Sequence, residues 1–268
     1  MRIGFIGTGA MAQAIARGAV ASGVDPATLV FSNRTPAKAC DLADELGASA
    51  ASSNVSLARQ VDIIILAVKP KDQRAVIKEI SSTVVGRPDV CVASLAAGRT
   101  LDQITTDFGA GIPLVRVMPN VAATVGQSMT ALTATRATDA QVDAVRSLMD
   151  SVGRTILIDE DFFPVFQALA SCSPAWFFQI VDSFARAGLK YGLSKDSAVE
   201  IAAQAMAGAA ALLLAERENG TIPAQLIDRV TSPGGTTIAG LLAAEEGGLS
   251  TALVGAVDAS IHADSHLG

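Results

Sequence analysis

Hydrophobic and polar residues follow one pattern up to about residue 158 and a different pattern after it. In the first part, short runs rich in Val and Ile alternate with stretches of helical spacing, beginning with the run RIGFIG and a helical stretch over residues 10–22. The run VDIIILAV is almost wholly apolar, which is typical of a central parallel strand covered on both faces. The alternation predicts a doubly wound parallel α/β sheet over residues 1–158.

After residue 158, the strand patterns stop and apolar residues recur at helical spacing to near the end of the chain. We therefore predict a second, all-helical domain over residues 159–268. Its helices carry more Ala, Leu and Phe than one chain can bury, which predicts a homodimer formed through this domain. The most apolar stretch, residues 201–215, is too short and too rich in Ala to cross a bilayer, so we expect a buried or subunit-interface helix and no membrane partner.

Charge and cysteine content narrow the function classes. The chain has 268 residues and a net charge of −6, which argues against nucleic acid as a partner because no basic excess exists to neutralise phosphates. Cys40, Cys91 and Cys172 lack metal-ligand spacing and are typical of core residues in a reducing compartment. From the cysteines we expect a cytoplasmic location and no metal. Because the chain enters a predicted strand almost at its first residue, we also expect no signal peptide.

The loop after the first predicted strand carries the glycine pattern Gly7-x-Gly9-x-x-Ala12. Gly7 permits a tight turn, Gly9 leaves room for a pyrophosphate against the backbone, and Ala12 lets the following helix lie close to the sheet. The start of that helix would face the phosphate charge. Pattern and position together predict a Rossmann-type dinucleotide site rather than a simple tight turn.

The end of the second predicted strand bears on the choice of cofactor. An Asp or Glu there would bind the ribose hydroxyl of NAD, but this chain has Ser32-Asn33-Arg34. Two polar side chains and a cation favour NADP(H), with NAD(H) as the alternative.

Two further loops, Ala67–Pro70 and Ser94–Gly98, follow later strands, and a ligand of an open parallel sheet lies over such strand ends. Small residues in the second loop would let a nicotinamide ring pack closely.

A second glycine-rich stretch, Ser232-Pro233-Gly234-Gly235-Thr236-Thr237, precedes the helical pattern IAGLLAAEE. It predicts a loop that starts a helix, with backbone N–H groups exposed to hold a carboxylate. The glycines allow a ligand to approach closely, and the hydroxyls add donors and acceptors. A Ser/Thr cap on a structural helix is the alternative interpretation of this stretch taken alone.

These motifs, in this order, resemble those of the pyrroline-5-carboxylate reductase family. The resemblance extends over nearly the whole chain, through IGFIGTGAMAQAIARG, LAVKP, SLAAG, RVMPN, SPA and VTSPGGTTI. It implies a Rossmann domain and a C-terminal all-helical dimerisation domain that interlocks two subunits, with dimers that often assemble into larger rings. It also implies an oxidoreductase of proline biosynthesis, which transfers hydride from NAD(P)H to the C=N bond of 1-pyrroline-5-carboxylate and so forms L-proline.

The resemblance also assigns roles to individual positions. The stretch from Val230 would hold the substrate carboxylate at the partner subunit's nicotinamide site, and Thr237 would contact the ring nitrogen as the catalytic residue. The implied substrate-binding positions are Val230, Ser232, Gly234, Gly235, Thr236 and Thr237. The implied cofactor-binding positions are Gly7, Gly9, Ala10, Met11, Ser32, Asn33, Arg34, Asn54, Ala67, Val68, Lys69, Pro70, Ala96 and Ala97.

Reduction of a cyclic imine does not require a strong protein acid, because the imine can take its proton from water before it binds. Positioning and a dry site are then the main demands on the protein. Thr237 would orient the nitrogen and help to return a proton. Glu216 is a candidate acidic neighbour of the nitrogen, although a solvated glutamate at a helix end is the favoured interpretation. We assign no role to His262 and His266.

Three departures from the usual family pattern fall near the expected cleft. The stretch 171–175 reads S-C-S-P-A in place of G-S-G-P-A, Val121-Ala122 replaces the T-P that follows M-P-N, and Pro164 and Gln167 replace other residue types. A reductase of another cyclic imine acid therefore stays an alternative, as does a non-catalytic NADP-binding regulatory relative. A hydroxyacid dehydrogenase is disfavoured, because residues 161–189 contain no lysine where its catalytic lysine would be expected.

Overall fold

The computed structural model describes residues 1–264 of the chain, which fall into two compact units. The first unit runs from Met1 to Ser171 and includes the chain again from Ile261, whereas the second unit runs from Cys172 to Ser260. The predicted domain boundary between residues 158 and 159 stays a prediction. His266, to which we assigned no role, lies outside the described residues.

The first unit is built on one sheet, which has eight strands within residues 1–264. In chain order these are β1 Ile3–Ile6, β2 Leu29–Ser32, β3 Ser49–Ala50, β4 Ile63–Leu66, β5 Cys91–Ser94, β6 Leu114–Met118, β7 Ser128–Thr135 and β8 Gly153–Leu157. Their spatial order is β3-β2-β1-β4-β5-β6-β7-β8. All neighbours pair in parallel except β6 and β7. The prediction of a doubly wound, mainly parallel sheet is confirmed.

Helices cover both faces of this sheet. They are α1 Ala10–Ala21, α2 Pro36–Leu46, α3 Asn54–Ala58, α4 Pro70–Val84, α5 Leu101–Phe108, α6 Asp139–Asp150 and α7 Phe163–Phe166. Strand β4 shows the two-sided burial: Ile63 and Ile65 pack with residues of α1, α2 and α6, whereas Ile64 and Leu66 pack with residues of α3, α4 and α5. All four side chains are fully buried, which explains why this strand is apolar at every position.

The antiparallel strand β7 was not predicted from the sequence. Its residues, SMTALTAT, mix apolar side chains with Thr without regular alternation, and they return from β6 through a loop over residues 119–127. A connection of this length is too short for a crossover helix, so the returning strand must run antiparallel to β6. The parallel order resumes at β8 after helix α6.

The three cysteines are free thiols, and the prediction that all of them are core residues is wrong for Cys40, which is exposed, and for Cys172, which is half-buried. Cys91 lies in β5 with no solvent exposure, and this burial raises the pKa of its thiol to about 12. The thiol therefore stays protonated at neutral pH. Cys91 acts as a small core residue rather than as a reactive group.

The second unit is helical. Its elements are α8 Ser173–Lys190, α9 Lys195–Glu216, α10 Pro223–Val230, α11 Thr236–Glu246 and α12 Leu249–Asp264, the last of which ends in the first unit. Helices α8 and α9 are joined by a turn over residues 191–194 and pack closely. A Cβ atom at Gly188 would lie only 2.8 Å from the Cβ of Ala198, so a glycine at position 188 permits this close approach.

The helices of the second unit leave large apolar side chains exposed in the single chain. Phe178, Phe184 and Ile201 are 68%, 63% and 59% exposed, respectively. Within residues 1–264, the segment Lys195–Asn219 is long and apolar enough to cross a membrane, judged by length and composition, and 6% of its most apolar part is buried. The prediction that the stretch 201–215 is too short and too rich in Ala to do so is therefore wrong, because the helix extends beyond it at both ends. Apolar surface on this scale marks an interaction site, which is what the predicted subunit interface over residues 201–215 requires.

Candidate active site

The turn after β1 is fixed by contacts with two neighbouring strands. Gly7 has a φ of +99°, and a Cβ atom there would lie 2.8 Å from the carbonyl oxygen of Ala67 at the end of β4. The Gly7 N–H donates to the carbonyl of Ser32, the last residue of β2, at 2.8 Å. The turn therefore requires glycine, and it lies where the carboxyl ends of β1, β2 and β4 meet.

The start of α1 offers an open anion site. Gly9 is the N-cap and has no side chain to cap the helix, and the first turn, AMAQ, contains no acidic residue. A Cβ atom at Gly9 would have no described atom within 4 Å, so space is open beside the free N–H groups. The hydroxyl of Thr8 is buried and has no hydrogen-bond partner within residues 1–264. This arrangement fits a pyrophosphate, which would accept from these donors.

A cavity of ≈ 460 Å³ extends from this turn to the ends of β2 and β4. Its wall includes eight predicted cofactor positions: Gly7, Gly9, Asn33, Arg34, Asn54, Ala67, Val68 and Lys69. Lys38 and Lys71 also line it, and sequence analysis missed both. Lys38 lies four residues after Arg34 in the first turn of α2, and this spacing was the signal available. The cluster of cations fits the 2′-phosphate of NADP rather than the bare ribose of NAD.

Polar side chains beneath the cavity hold one another in place. Ser32 is 2% exposed, and its hydroxyl donates to Asn54 Oδ1 at 2.7 Å. Asn54 Nδ2 in turn donates to Glu79 Oε2 at 2.7 Å. Asn33 accepts from the N–H of Thr8 and donates to the carbonyl of residue 35. A direct contact between Ser32 and the cofactor therefore stays a prediction, since the Ser32 hydroxyl already donates its hydrogen bond to Asn54.

The remaining predicted cofactor positions lie around this cavity or along the same edge of the sheet. Ala10 and Met11 start α1, and Pro70 starts α4. Ala96 and Ala97 follow β5, the strand next to β4. Ala96 is buried, and its N–H lies 3.4 Å from the hydroxyl of Ser94. Small side chains in this loop leave room for a flat ring at the edge of the sheet.

An ion pair between a buried arginine and a half-buried glutamate, which sequence analysis did not single out, stands beside the loop after β5. Arg116 in β6 is 7% exposed, donates to Glu160 Oε1 at 2.9 Å and stacks over the Phe163 ring at 4.2 Å. The same Glu160 oxygen accepts the N–H of Leu101, the first residue of α5, at 2.8 Å. Glu160 thus holds the start of α5, which directly follows the loop that contains Ala96 and Ala97.

The second glycine stretch lies in the second unit and starts a helix, as the sequence predicted. Helix α10 ends at Val230, Gly235 is the N-cap of α11, and the first turn, TTIA, contains no acidic residue. Gly234 has a φ of +67°, and the N–H of Gly235 donates to the carbonyl of Ser232 at 2.9 Å. Val230, Ser232, Gly234, Thr236 and Thr237 are all exposed. The free N–H groups and hydroxyls here can hold a carboxylate.

The stretch from Val230 to Thr237 contains no acidic side chain. Glu216, at the end of α9, accepts from the Thr221 hydroxyl at 3.2 Å and pairs with Arg229 at 3.4 Å. Glu216 was interpreted as a solvated glutamate at a helix end; it does end the helix, but its carboxylate is partly buried and paired with Arg229. His262 lies in α12. Within residues 1–264, no group of three His, Cys, Asp or Glu side chains could hold a metal ion.

The fold and this site together define a class of protein. A glycine turn at the carboxyl edge of a doubly wound sheet, opening onto a basic cavity, belongs to an NADP-dependent oxidoreductase. The family model described as "NADP oxidoreductase coenzyme F420-dependent" matches residues 2–98. The family model described as "Pyrroline-5-carboxylate reductase dimerisation" matches residues 160–267.

Full-length relatives identify the family. The pyrroline-5-carboxylate reductase of Corynebacterium melassecola is 32% identical, covering 99% of this chain and 98% of its own length. A solved structure of a pyrroline-5-carboxylate reductase from Coxiella burnetii is 31% identical with a TM-score of 0.94, covering 100% of this chain and 98% of that one. The Plasmodium falciparum pyrroline carboxylate reductase, solved with NADP bound, is 25% identical with a TM-score of 0.83, covering 100% and 98%. This chain belongs to the pyrroline-5-carboxylate reductase family.

Proposed function

We propose that this chain reduces 1-pyrroline-5-carboxylate to L-proline with NADPH. The observation that carries the proposal is the uncapped start of α11 after Gly234 and Gly235, within a chain of this family. Free N–H groups suit the carboxylate of the substrate, and a neighbouring hydroxyl suits its ring nitrogen. The absence of an acidic residue in this first turn also suits an anionic substrate, because a carboxylate side chain there would repel it.

The residues of the first unit fit NADP(H). The N–H groups at the start of α1 would hold the pyrophosphate, and Arg34 and Lys38 would hold the 2′-phosphate. The loop with Ala96 and Ala97 would lie against the nicotinamide. When bound, the cofactor supplies the hydride, and the protein supplies position, charge and exclusion of water.

The reaction converts C=N to CH–NH: the imine carbon gains a hydride, and the ring nitrogen keeps the proton it took before binding. Thr237, in the first turn of α11, would hold that nitrogen through its hydroxyl, which both donates and accepts hydrogen bonds. Ser232, Thr236 and the free N–H groups of the first turn of α11 would hold the carboxylate, whereas the Gly235 N–H already donates to the carbonyl of Ser232. No further acid is needed, because the nitrogen is already protonated when hydride arrives.

The chain forms a homodimer through its helical region, and we propose that the exposed faces of α8 and α9 form the interface. Further proposals are that dimers assemble into a larger ring and that the protein is cytoplasmic. Light scattering coupled to size exclusion should give the mass of at least a dimer without detergent. A monomer that stays soluble only in detergent would instead support a membrane role for Lys195–Asn219.

The direct test of the activity follows NADPH absorbance with purified protein. The imines are 1-pyrroline-5-carboxylate, pyrroline-2-carboxylate and a six-membered cyclic imine acid, beside a control without imine. Oxidation with the first imine, faster with NADPH than with NADH, is the expected result. If NADPH binds but no imine is turned over, the chain is a non-catalytic relative and the proposal fails.

One observation favours a different imine as the second candidate. Residues 167–172 form a π-helix, and within it the buried hydroxyl of Ser171 has no hydrogen-bond partner among residues 1–264. A free hydroxyl where relatives usually carry glycine could bind an additional polar group of a substrate. Faster turnover of another imine in the same panel, reversed by Ser171→Gly, would establish this second function.

A further inference from the structure

Asn120 lies two residues beyond the end of β6, and both polar atoms of its side chain make hydrogen bonds. It is 9% exposed. Its Oδ1 accepts the N–H of Ala122 at 3.2 Å, and its Nδ2 donates to the carbonyl of Ala170 at 2.8 Å. The backbone N–H of Asn120 donates to the Ser128 hydroxyl at 3.1 Å. Because one partner is a donor and the other an acceptor, the amide has a single orientation.

The carbonyl of Ala170 needs a donor for a reason that is visible in the sequence. In an α-helix it would accept from the N–H of residue 174, but residue 174 is proline and has none. A proline also excludes the carbonyl four residues earlier from its regular helical position. The π-helix over residues 167–172 lies immediately before this point. Ala170 itself lies within this π-helix, and the Asn120 side chain takes the place of the α-helical donor that Pro174 lacks.

This hydrogen bond fixes backbone at the cofactor edge of the sheet. Strand β6 is parallel to β5, with Arg116 opposite Ser94, so the loops after both strands lie at the same edge. The loop after β5 contains Ala96 and Ala97. The loop after β6 contains Asn120 and a 3₁₀-helix over Val121–Val125, whose start the Asn120 side chain caps. The loop after β6 therefore lies along the same edge of the sheet as the loop proposed to contact the nicotinamide ring.

We propose that Asn120 is a positioning residue for hydride transfer: its amide replaces the backbone donor missing at Pro174 and so holds the loop after β6 in its productive place. The proposal rests on the reductase function proposed above. Asn120 acts through the loop, while Thr237 and the cofactor loops make the contacts with the reactants.

The test is a cycle of Asn120→Ala and Pro174→Ala with the imine that the wild-type chain turns over. Asn120→Ala should lower kcat at least tenfold and leave the KM for NADPH within twofold, because the ribose and pyrophosphate are held at β1, β2 and β4. Pro174→Ala restores a backbone donor for Ala170. In that background, Asn120→Ala should lower kcat less than threefold. Equal losses in the two backgrounds, or an unchanged kcat in the single variant, would overturn the proposal.

A matched control separates the two bonds of the amide. Ala122→Pro removes the N–H that bonds Asn120 Oδ1 but leaves the bond to Ala170, and proline is well tolerated at the start of a helix. Its kcat should stay within twofold of the wild type, and a loss as large as that of Asn120→Ala would assign the effect to the cap instead. If Asn120→Ala does not fold, Asn120→Ser takes its place.

Thermal unfolding without substrate distinguishes failure of this proposal from failure of the proposed function. The wild type, Asn120→Ala, Pro174→Ala and the double variant should show non-additive shifts in Tm. Pro174→Ala should reduce the loss of Tm caused by Asn120→Ala. Additive shifts would refute the Asn120 hydrogen-bond replacement even if the imine is reduced. If no imine is reduced, the proposed function fails, and with it the role in hydride transfer, whatever the Tm values show.

Discussion

The chain contains two glycine turns that start helices with almost the same backbone conformation but are held very differently. Gly9 and Gly235 are N-caps with φ, ψ of −73°, 176° and −76°, 168°, respectively. The first turn is fixed by residues distant in sequence, through the Gly7 bond to Ser32 and the close approach of Ala67. The second turn is held within residues 227–235 by the bonds of Gly235 to Ser232 and of the Thr231 hydroxyl to the carbonyl of residue 227.

The difference shows which site the fold completes by itself. The turn proposed to hold the cofactor lies among buried parallel strands, so its N–H groups are oriented before any ligand binds. The proposed substrate turn is exposed on a helical unit that also exposes its apolar faces. Both units thus use the free N–H groups at the start of a helix. In the first unit these groups form a rigid site, whereas in the second unit we expect a second subunit to complete the site.

The largest effect should come from Gly7→Ala. An added Cβ would lie 2.8 Å from the Ala67 oxygen in a backbone region that disfavours side chains, so NADPH binding should be lost. Gly23→Ala is the matched control, because Gly23 has a φ of +95° and no described atom within 4 Å of its Cβ position. The control should lose only about 1 kcal/mol of unfolding free energy. Calorimetric titration with NADPH and thermal unfolding measure both; similar NADPH affinities in the two variants would contradict the close-approach explanation.

Alanine at the two N-caps should separate the two ligands. Gly9→Ala has an allowed φ and open space, so unfolding free energy should change by less than about 0.5 kcal/mol while NADPH binds about tenfold more weakly. Gly235→Ala should raise the KM of the imine about tenfold and leave NADPH affinity unchanged. Steady-state kinetics with each ligand varied in turn is the measurement. A weakened NADPH affinity in Gly235→Ala would break the assignment of the second turn to substrate.

Thr237→Ala should lower kcat about tenfold, which corresponds to the loss of one well-placed hydrogen bond, or about 1.4 kcal/mol. The NADPH affinity should stay the same, because the hydroxyl is assigned to the imine nitrogen. Thr237→Ser keeps the hydroxyl and should keep most of the rate. Equal rates for the alanine variant and the wild type would remove Thr237 from the mechanism.

The smallest effects should come from the cations of the cavity. Arg34→Ala and Lys38→Ala should each weaken NADPH by about 1 kcal/mol and leave NADH unchanged, with the difference shrinking as salt is added. Lys78→Ala changes an exposed lysine of α4 that does not line the cavity and serves as the control. Titrations with both nucleotides at low and high salt decide the matter. Parallel losses for NADH would mean that these cations do not select the 2′-phosphate.

The sheet was predictable because its central strands are apolar at every position, as Ile63 to Leu66 show. The two glycine turns were predictable because glycine has a specific backbone use at Gly7 and Gly234. The antiparallel strand β7 was not predicted, because its direction depends on the length of the loop after β6 and not on its own residues. Lys38 was overlooked although it lies in the first turn of α2, only four residues after Arg34.

The polar contacts beneath the site could not be predicted, because their partners are far apart in the chain. Arg116 and Glu160 are separated by 44 residues, and Asn120 and Ala170 by 50. Pro174 lies in the first turn of α8, where its missing N–H leaves the carbonyl of residue 170 without its α-helical donor. The sequence gives no indication, however, of which distant side chain would satisfy the carbonyl of Ala170.

Because the helix Lys195–Asn219 is exposed, the stability and the association state of the protein depend on its concentration. If association buries this helix, part of the free energy of unfolding comes from mass action between chains, and the Tm rises with concentration. Diluting the enzyme for an assay would then shift the population toward separate chains. A specific activity that falls on dilution and recovers when protein is added back would be a property of this one helix, measurable without any mutation.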